Sequence, residues 1–211
     1  MTINCSGEEL ILDKERAIYW PAKRMLIISD IHIGKSAHFR RSGIPVPATI
    51  GHKDLSRITK LTEAYSVDNL VITGDMFHNN MNSDVEDFRS WRAQHSQLEI
   101  HLIKGNHDGL KMEDYAGLGI QIHQKELLQF PFRFIHDKPK TNDEYFNITG
   151  HIHPGVTIHG KARQQLRLPC FYFSDTCAVL PAFSAFTGLS NIKASEGDTF
   201  YAITPTKVVM V

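Results

Sequence analysis

Met25-Leu26-Ile27-Ile28-Ser29-Asp30-Ile31-His32 decides the reading of this chain. A short apolar run containing β-branched residues favours a buried strand over a helix. Here it runs straight into a carboxylate and an imidazole two positions apart. In an extended segment side chains i and i+2 share a face, so Asp30 and His32 are expected to reach one ion together. The same grammar recurs four times downstream. Leu70 to Thr73 ends at Gly74-Asp75, and Leu98 to Ile103 ends at Gly105-Asn106-His107-Asp108. Phe132 to Ile135 ends at His136, and Tyr145 to Thr149 ends at Gly150-His151-Ile152-His153. In α/β sheets ligands gather at the carboxyl ends of strands, where neighbouring loops point to one place. Residues more than a hundred positions apart are therefore expected to converge.

Working outward, two helices separate the first three strands. Leu55, Ile58, Leu61 and Tyr65 fall at helical spacing within Pro47 to Tyr65, which predicts an amphipathic helix. Ser83 and Glu86 read as a capping box, and Val85, Phe88 and Trp91 continue one face. The first half is thus β-α-β-α-β, a pattern that favours parallel strands. The second half is richer in strands, expected at Ile120 to His123, Leu127 to Phe130, Val156 to His159, Phe171 to Phe173, Thr199 to Ile203 and Val208 to Val211. This mixture predicts two packed sheets with helices outside rather than one doubly wound sheet.

A chain of 211 residues fits one domain spanning 1–211. No apolar run approaches the roughly 20 residues that span a bilayer, and Met1 to Lys14 has no signal-peptide core. A cytoplasmic location, with no membrane partner, is expected. Cys5, Cys170 and Cys177 form no CxxC pair, so a disulfide framework is not expected. Lys plus Arg and Asp plus Glu are both 23. A net charge of zero gives no long-range pull on a polyanion, so a nucleic acid would have to be held by a local basic patch or by metals. The 12 histidines are the unusual count.

Taken singly, each segment has a bland rival. Asp-x-His or Gly-Asp after a strand is often a solvated turn, His-x-His a polar strand edge, and His136 alone a satisfied core histidine. All of them in order, each at a strand end, favour a common site. The donor set of carboxylate, amide oxygen and imidazole suits two divalent ions, Mn²⁺ foremost with Zn²⁺, Fe or Mg²⁺ also admitted, and no thiolate is needed. Two such ions clamp the attacking and leaving oxygens of a displacement at phosphorus and bring the pKa of water toward neutrality. His78 and His107, beside the ligand positions, are candidates to neutralise phosphate oxygens and protonate the leaving oxygen. Lys35, His38, Arg40 and Arg41 are candidates to grip substrate phosphates from a basic loop after the first motif, with a merely solvated loop as the rival. Phe171, Tyr172 and Phe173 read as sheet packing rather than base stacking, and Phe183 and Phe186 as core or scaffold. His52, His95, His101, His123 and His159 are read as non-ligands.

The segments Asp30-Ile-His32, Gly74-Asp75-Met-Phe-His78, Gly105-Asn106-His107-Asp108 and Gly150-His151-Ile-His153 resemble, in order and spacing, the signature of the calcineurin-like metallophosphoesterase superfamily. The resemblance implies an α/β fold of α+β type: a four-layer α/β/β/α sandwich of two mixed sheets flanked by helices. It implies one metal on Asp30, His32, Asp75 and His153, and a second on Asp75, Asn106, His136 and His151. It also implies that His107, oriented by Asp108, contacts phosphate as general acid. His78 matches a position used by double-strand-break repair nucleases of the superfamily. Asp30-Ile-His-Ile-Gly-Lys-Ser-Ala-His-Phe-Arg-Arg41, Ile44-Pro-Val-Pro47, Ser90-Trp-Arg92, Leu168-Pro-Cys-Phe-Tyr172 and Leu180-Pro-Ala-Phe-Ser-Ala-Phe-Thr-Gly188 further resemble small bacterial phosphoesterases associated with an ATP-dependent DNA ligase. That family is described as DNA damage response endonucleases working beside a ligase, a helicase and an exonuclease. The resemblance therefore implies a DNA-cleaving phosphodiesterase in repair. The alternatives are a small-molecule phosphodiesterase or pyrophosphatase, favoured by the zero net charge, and a non-catalytic scaffold, disfavoured by the intact motif histidines.

Overall fold

The computed structural model describes residues 1–47, 49–78, 81–138, 144–160 and 164–211. Strands β1 (Thr2–Cys5), β2 (Glu8–Asp13) and β3 (Ala17–Trp20) form an antiparallel meander that leads into β4 (Met25–Ile28). The chain then alternates: α1 (Lys35–Arg41), α2 (Thr49–Tyr65), β5 (Asn69–Ile72), α3 (Ser83–Gln94), β6 (Glu99–Ile103), α4 (Met112–Gly117) and β7 (Ile120–His123). Strands β4 to β7 pair parallel in sequence order, completing a mixed sheet in the order β1-β2-β3-β4-β5-β6-β7. The apolar runs read from the sequence as strands therefore do pair in parallel.

A second mixed sheet follows. It is built from β8 (Glu126–Gln129), β9 (Phe132–Ile135), β10 (Phe146–Thr149), β11 (Pro154–His159), β12 (Gln165–Phe173), β13 (Cys177–Val179), β14 (Ser190–Asn191), β15 (Thr199–Ile203) and β16 (Val208–Met210). Its order is β14-β11-β12-β13-β10-β9-β8, with β15 bridging β12 and β16. Strand β10 lies parallel to both β9 and β13.

Burial explains why β4 is apolar throughout. All four of its residues are buried, and they alternate between two cores. Leu26 and Ile28 join Leu70, Ile72, Ile100 and Leu102 beneath the helices, where Leu55, Ile58, Val85, Phe88 and Tyr115 meet them. Met25 and Ile27 face the other way, into the core between the sheets with Trp20, Phe132, Phe134 and Phe171. A parallel strand covered on both faces loses the apolar-polar alternation of a half-exposed one. Trp20 meets Phe132 edge-on at 4.8 Å between ring centroids, an aromatic contact adding about 0.5–1.5 kcal/mol to area burial.

The fold is thus the expected α/β arrangement of two mixed sheets flanked by helices. Among the described residues the helices lie on the first sheet. The outer face of the second sheet carries a small cluster around Tyr172, Cys177 and Val179, packed by Ile152, Ile192 and Phe200, in the place of the outermost helical layer.

Three local expectations are corrected. Lys35–Arg41, read as a loop, is helix α1. Helix α3 is capped by Asn82, whose side chain accepts from the Asp84 N–H at 3.0 Å, so Ser83 is the first helical residue rather than the cap. Helix α4 and strands β1 to β3, β13 and β14 were not anticipated; α4, β13 and β14 are short, and β2 begins and ends on carboxylates. Phe171, Tyr172 and Phe173 are buried packing residues, as read. The three cysteines are free and buried. No helix among the described residues is long and apolar enough to cross a membrane.

Candidate metal centre

The loops after β4, β5, β6, β9 and β10 meet at one edge. Left-handed backbone, rather than the extended geometry expected from residue spacing, aims their side chains. Asp30, His32, Asp75, His151 and His153 all have positive φ, between 51° and 66°. For residues with a Cβ this conformation costs roughly 1–3 kcal/mol each and persists only where neighbours over-determine it. Here hydrogen bonds join the loops to one another. The Asp30 N–H donates to Gly74 O at 3.1 Å, His32 N–H to Asp75 O at 3.0 Å, and His78 N–H to Ile33 O at 2.8 Å. Gly150 sits so close that a Cβ there would collide with Ser29 Oγ and stand 2.8 Å from Asp30 Oδ2. Gly74, at φ 93°, leaves its space to the His136 ring.

Two ligand groups result. Asp30, His32 and His153 place one donor atom each within 4.8 Å of one another, and so do Asp75, His136 and His151. His153 Nε2 lies 3.2 Å from Asp30 Oδ1. In the second group His136 Nε2 lies 3.5 Å from Asp75 Oδ2, 3.1 Å from His151 Nδ1 and 3.1 Å from Asn106 Oδ1. The His151 N–H donates to Asp30 Oδ2 at 3.1 Å, which binds the groups to each other. The structure therefore brings together all seven residues expected as ligands: Asp30, His32, Asp75, Asn106, His136, His151 and His153.

Electrostatics and hydrogen bonding test whether a cation fits. Asp30 Oδ1, both His32 ring nitrogens and His153 Nε2 are buried without a hydrogen-bond partner. Leaving such atoms unpaired costs about 1–3 kcal/mol each, more when charged, and native structures rarely do so without a reason. Burial holds the His32 imidazole down to about 4, against the pull of Asp30, so it is neutral and free to ligate. Burial alone would raise Asp75, but the His136 hydrogen bond and charge outweigh it and hold the carboxyl at about 2. His136 mirrors this: burial lowers it, yet Asp75 and the Thr73 carbonyl raise it to about 9. Carboxylates facing imidazoles, with no thiolate, form a donor set suited to divalent first-row metals, and His136 must give up its proton to join it.

The expected phosphate-handling residues take different places. His107 is half-buried, its N–H fixed by Asp75 Oδ1 at 2.9 Å. Its ring stacks on His78 at 5.2 Å and meets His32 edge-on at 5.4 Å. Asp108 is not the orienter of the His107 ring. Its oxygens accept from the backbone N–H groups of Phe77 at 2.9 Å and Gly105 at 2.8 Å, so it ties the second motif loop to the third. Burial pushes its carboxyl up to about 6. Lys35 is half-buried beside Phe186, and burial lowers its ammonium while Asp30 and Asp75 raise it. His38 is exposed with its ring 5.2 Å from His78, and Arg41 is exposed. Arg40 is corrected from phosphate grip to internal strut: its guanidinium donates to Asp84 Oδ1 at 2.9 Å.

Several supporting residues escaped the sequence reading. Asp84, buried at the start of α3, also accepts from Ser36 Oγ and the Ala37 N–H. The Phe183 N–H donates to Ser29 O at 2.7 Å and the Ser184 N–H to Asp30 O at 3.3 Å, so this loop braces the first ligand. Arg16 donates to the carbonyls of Ala182 and Ser184, while Arg57 donates to that of Phe183 and stacks on its ring at 4.1 Å. Only the loop left a signal in the sequence, in Leu180 to Gly188. Arginines remote in the chain and aimed at carbonyls leave none.

The sequence profile of the calcineurin-like phosphoesterase family matches residues 23–184. Among solved structures, the nuclease MPE of Pseudomonas putida is 30% identical, with a TM-score of 0.84 over 100% of this chain and 99% of that one. YfcE, a phosphoesterase from E. coli, is 15% identical at a TM-score of 0.47, over 89% of this chain and 97% of that one. No curated protein sequence is matched.

Proposed function

Because the chain belongs to the calcineurin-like phosphoesterase family, and is thus a metal-dependent phosphoesterase, we propose that it is a dinuclear phosphodiester hydrolase that cleaves DNA. One observation carries the choice of a nucleic acid over a small diester: the full-length likeness to a nuclease, at 30% identity across both chains.

Asp30, His32, Asp75 and His153 would hold one ion, and Asp75, Asn106, His136 and His151 the other, with Asp75 shared. Two divalent ions, Mn²⁺ foremost, supply Lewis acidity toward phosphoryl oxygens and lower the pKa of water toward 7. The remaining work falls to the chain. His107 stands beside the first ligand group with its backbone pinned by Asp75, and donates a proton to the leaving oxygen. His78, stacked on it, and Lys35 offset charge on the phosphate. His38 and Arg41, on the exposed part of α1, meet the substrate strand outside the centre. The cellular role that fits is repair in the cytoplasm beside an ATP-dependent ligase, a helicase and an exonuclease, as the likeness to ligase-associated endonucleases implies.

The zero net charge favours a second reading, a small-molecule phosphodiesterase or pyrophosphatase. Turnover by purified protein with Mn²⁺ on chromogenic mono- and diesters, and on single- and double-stranded DNA, separates the two. DNA cleavage abolished by Asp75→Asn is expected. Brisk diester hydrolysis with intact DNA would leave only the second reading.

A further inference from the structure

Resting on the DNA reading above, we propose that a cationic track runs from the metal centre along the exposed flank of α2, where Lys53 and Lys60 bind backbone phosphates of the substrate strand beyond the cleaved bond.

The hollows along this path share lining residues. A narrow cleft that reaches the metal centre at His32 is lined also by Lys35, Asp54, Ser184 and Phe186. Asp54 also lines a neighbouring cavity of about 420 Å³, and so does Ala185, the residue between Ser184 and Phe186. One turn of α2 and one short loop thus form the wall common to both. The larger cavity in turn shares Lys53 and Arg57 with a hollow of about 380 Å³ that reaches Lys60.

The charge along it is unequal, and the pairing shows which cations are available. The larger cavity is lined by Lys14, Arg16, Lys53 and Arg57 against Glu15 and Asp54, four positive groups to two negative. Arg57 is occupied with Glu15 and Asp54, and Lys14 with Glu15. Arg16 is turned inward onto the carbonyls of Ala182 and Ser184. The hollow beyond has Lys53, Arg57 and Lys60 in its lining and no carboxylate, and the nearby Asp87 is paired with His52 at 3.4 Å. Among the described residues Lys53 and Lys60 have no ion-pair partner, and both are exposed. Seven residues apart on one helix, they stand on one face about 10 Å apart along the axis. In a protein of zero net charge, such a local excess is what remains to hold a polyanion.

The test is binding by the metal-loaded protein of a fluorescein-labelled single-stranded phosphorothioate oligonucleotide, titrated across salt concentrations and run beside DNA turnover. Lys53→Glu/Lys60→Glu should weaken binding by roughly tenfold or more at low salt. It should also flatten the plot of log affinity against log salt by about 1.4, at ~0.7 per lost phosphate contact on a single strand. The neutral pair Lys53→Gln/Lys60→Gln should show the same flattening with a smaller loss of affinity. Lys23→Glu, at the opposite end of β4 from Asp30, should bind as wild type. An unchanged slope in both double variants, or no oligonucleotide binding by the wild type, overturns the track. Its failure is distinct from that of the nuclease reading. DNA cleavage with an unchanged slope sinks the track alone. A flattened slope without cleavage, where a chromogenic diester is still turned over, sinks the nuclease alone.

Discussion

His107 is held by its backbone and not by its ring. Asp75 Oδ1 takes its N–H, while the imidazole is stacked on His78 and edge-on to His32. Removing that ring leaves every atom of both ligand groups in place. His107→Ala is therefore expected to keep its metals while kcat on a chromogenic diester falls by about 10²–10⁴-fold, the usual contribution of a general acid. Metal content and kcat measured on one preparation check this. Full activity in the variant sinks the role, and loss of metal means that the ring helps to hold the centre. The identities of such residues were legible in the sequence because each follows a strand, yet their conformations were not. The left-handed backbone at Asp30, His32 and Asp75 is imposed by hydrogen bonds between loops distant in sequence, and no glycine at those positions announces it. At Gly150 the glycine is needed because Ser29 and Asp30 occupy the space a side chain would take.

At the scale of elements, α1 shows how a charged segment becomes structure. It has no side-chain cap, begins after Gly34 in the left-handed region and buries only Ser36 and Ala37, so neither propensity nor periodicity marks it as a helix. Asp84 at the start of α3 organises it, accepting from Ser36 Oγ, the Ala37 N–H and Arg40 Nη2. Strands β4, β5 and β10, by contrast, were readable because burial on both faces requires apolar runs, and those depend on local composition alone. Asp84→Ala removes the shared acceptor and leaves Arg40 unpaired in a partly buried place. Hydrogen bonds to charged groups contribute about 1.5–3 kcal/mol each, and they are not additive. The variant should lose about 2–4 kcal/mol in urea unfolding. Turnover should fall as well, because Lys35 and His38 ride on the same helix. Asp84→Asn retains an acceptor for the Ala37 N–H and should lose less. Stability equal to wild type in Asp84→Ala would show that α1 stands without this tie.

Across the whole molecule, the two sheets meet over one apolar core, and each supplies part of the centre at its edge. Asp30 and Asp75 come from the first sheet, and His136, His151 and His153 from the second. Asp30 and Asp75 are almost wholly buried there, and Asp30 Oδ1, 3.2 Å from His153 Nε2, accepts no hydrogen bond. Divalent ions in those two groups would close this electrostatic deficit and join the sheets at the same time. A ligand that binds only the folded state stabilises it by RT ln(1 + [L]/Kd), about 2.7 kcal/mol at a hundredfold excess over Kd. For a chain of 211 residues each kcal/mol moves Tm by roughly 2–4 °C. Saturating Mn²⁺ is therefore expected to raise Tm above that in chelator by roughly 5–10 °C if one ion binds, and by about twice that if both do. The ligands come from both sheets, so the shift should move a single transition rather than split it. Asp75→Asn, lacking the shared carboxylate, should lose most of the shift. Circular dichroism melts with Mn²⁺ and with chelator measure it, and superimposable curves for the wild type would sink the idea that metals join the two sheets.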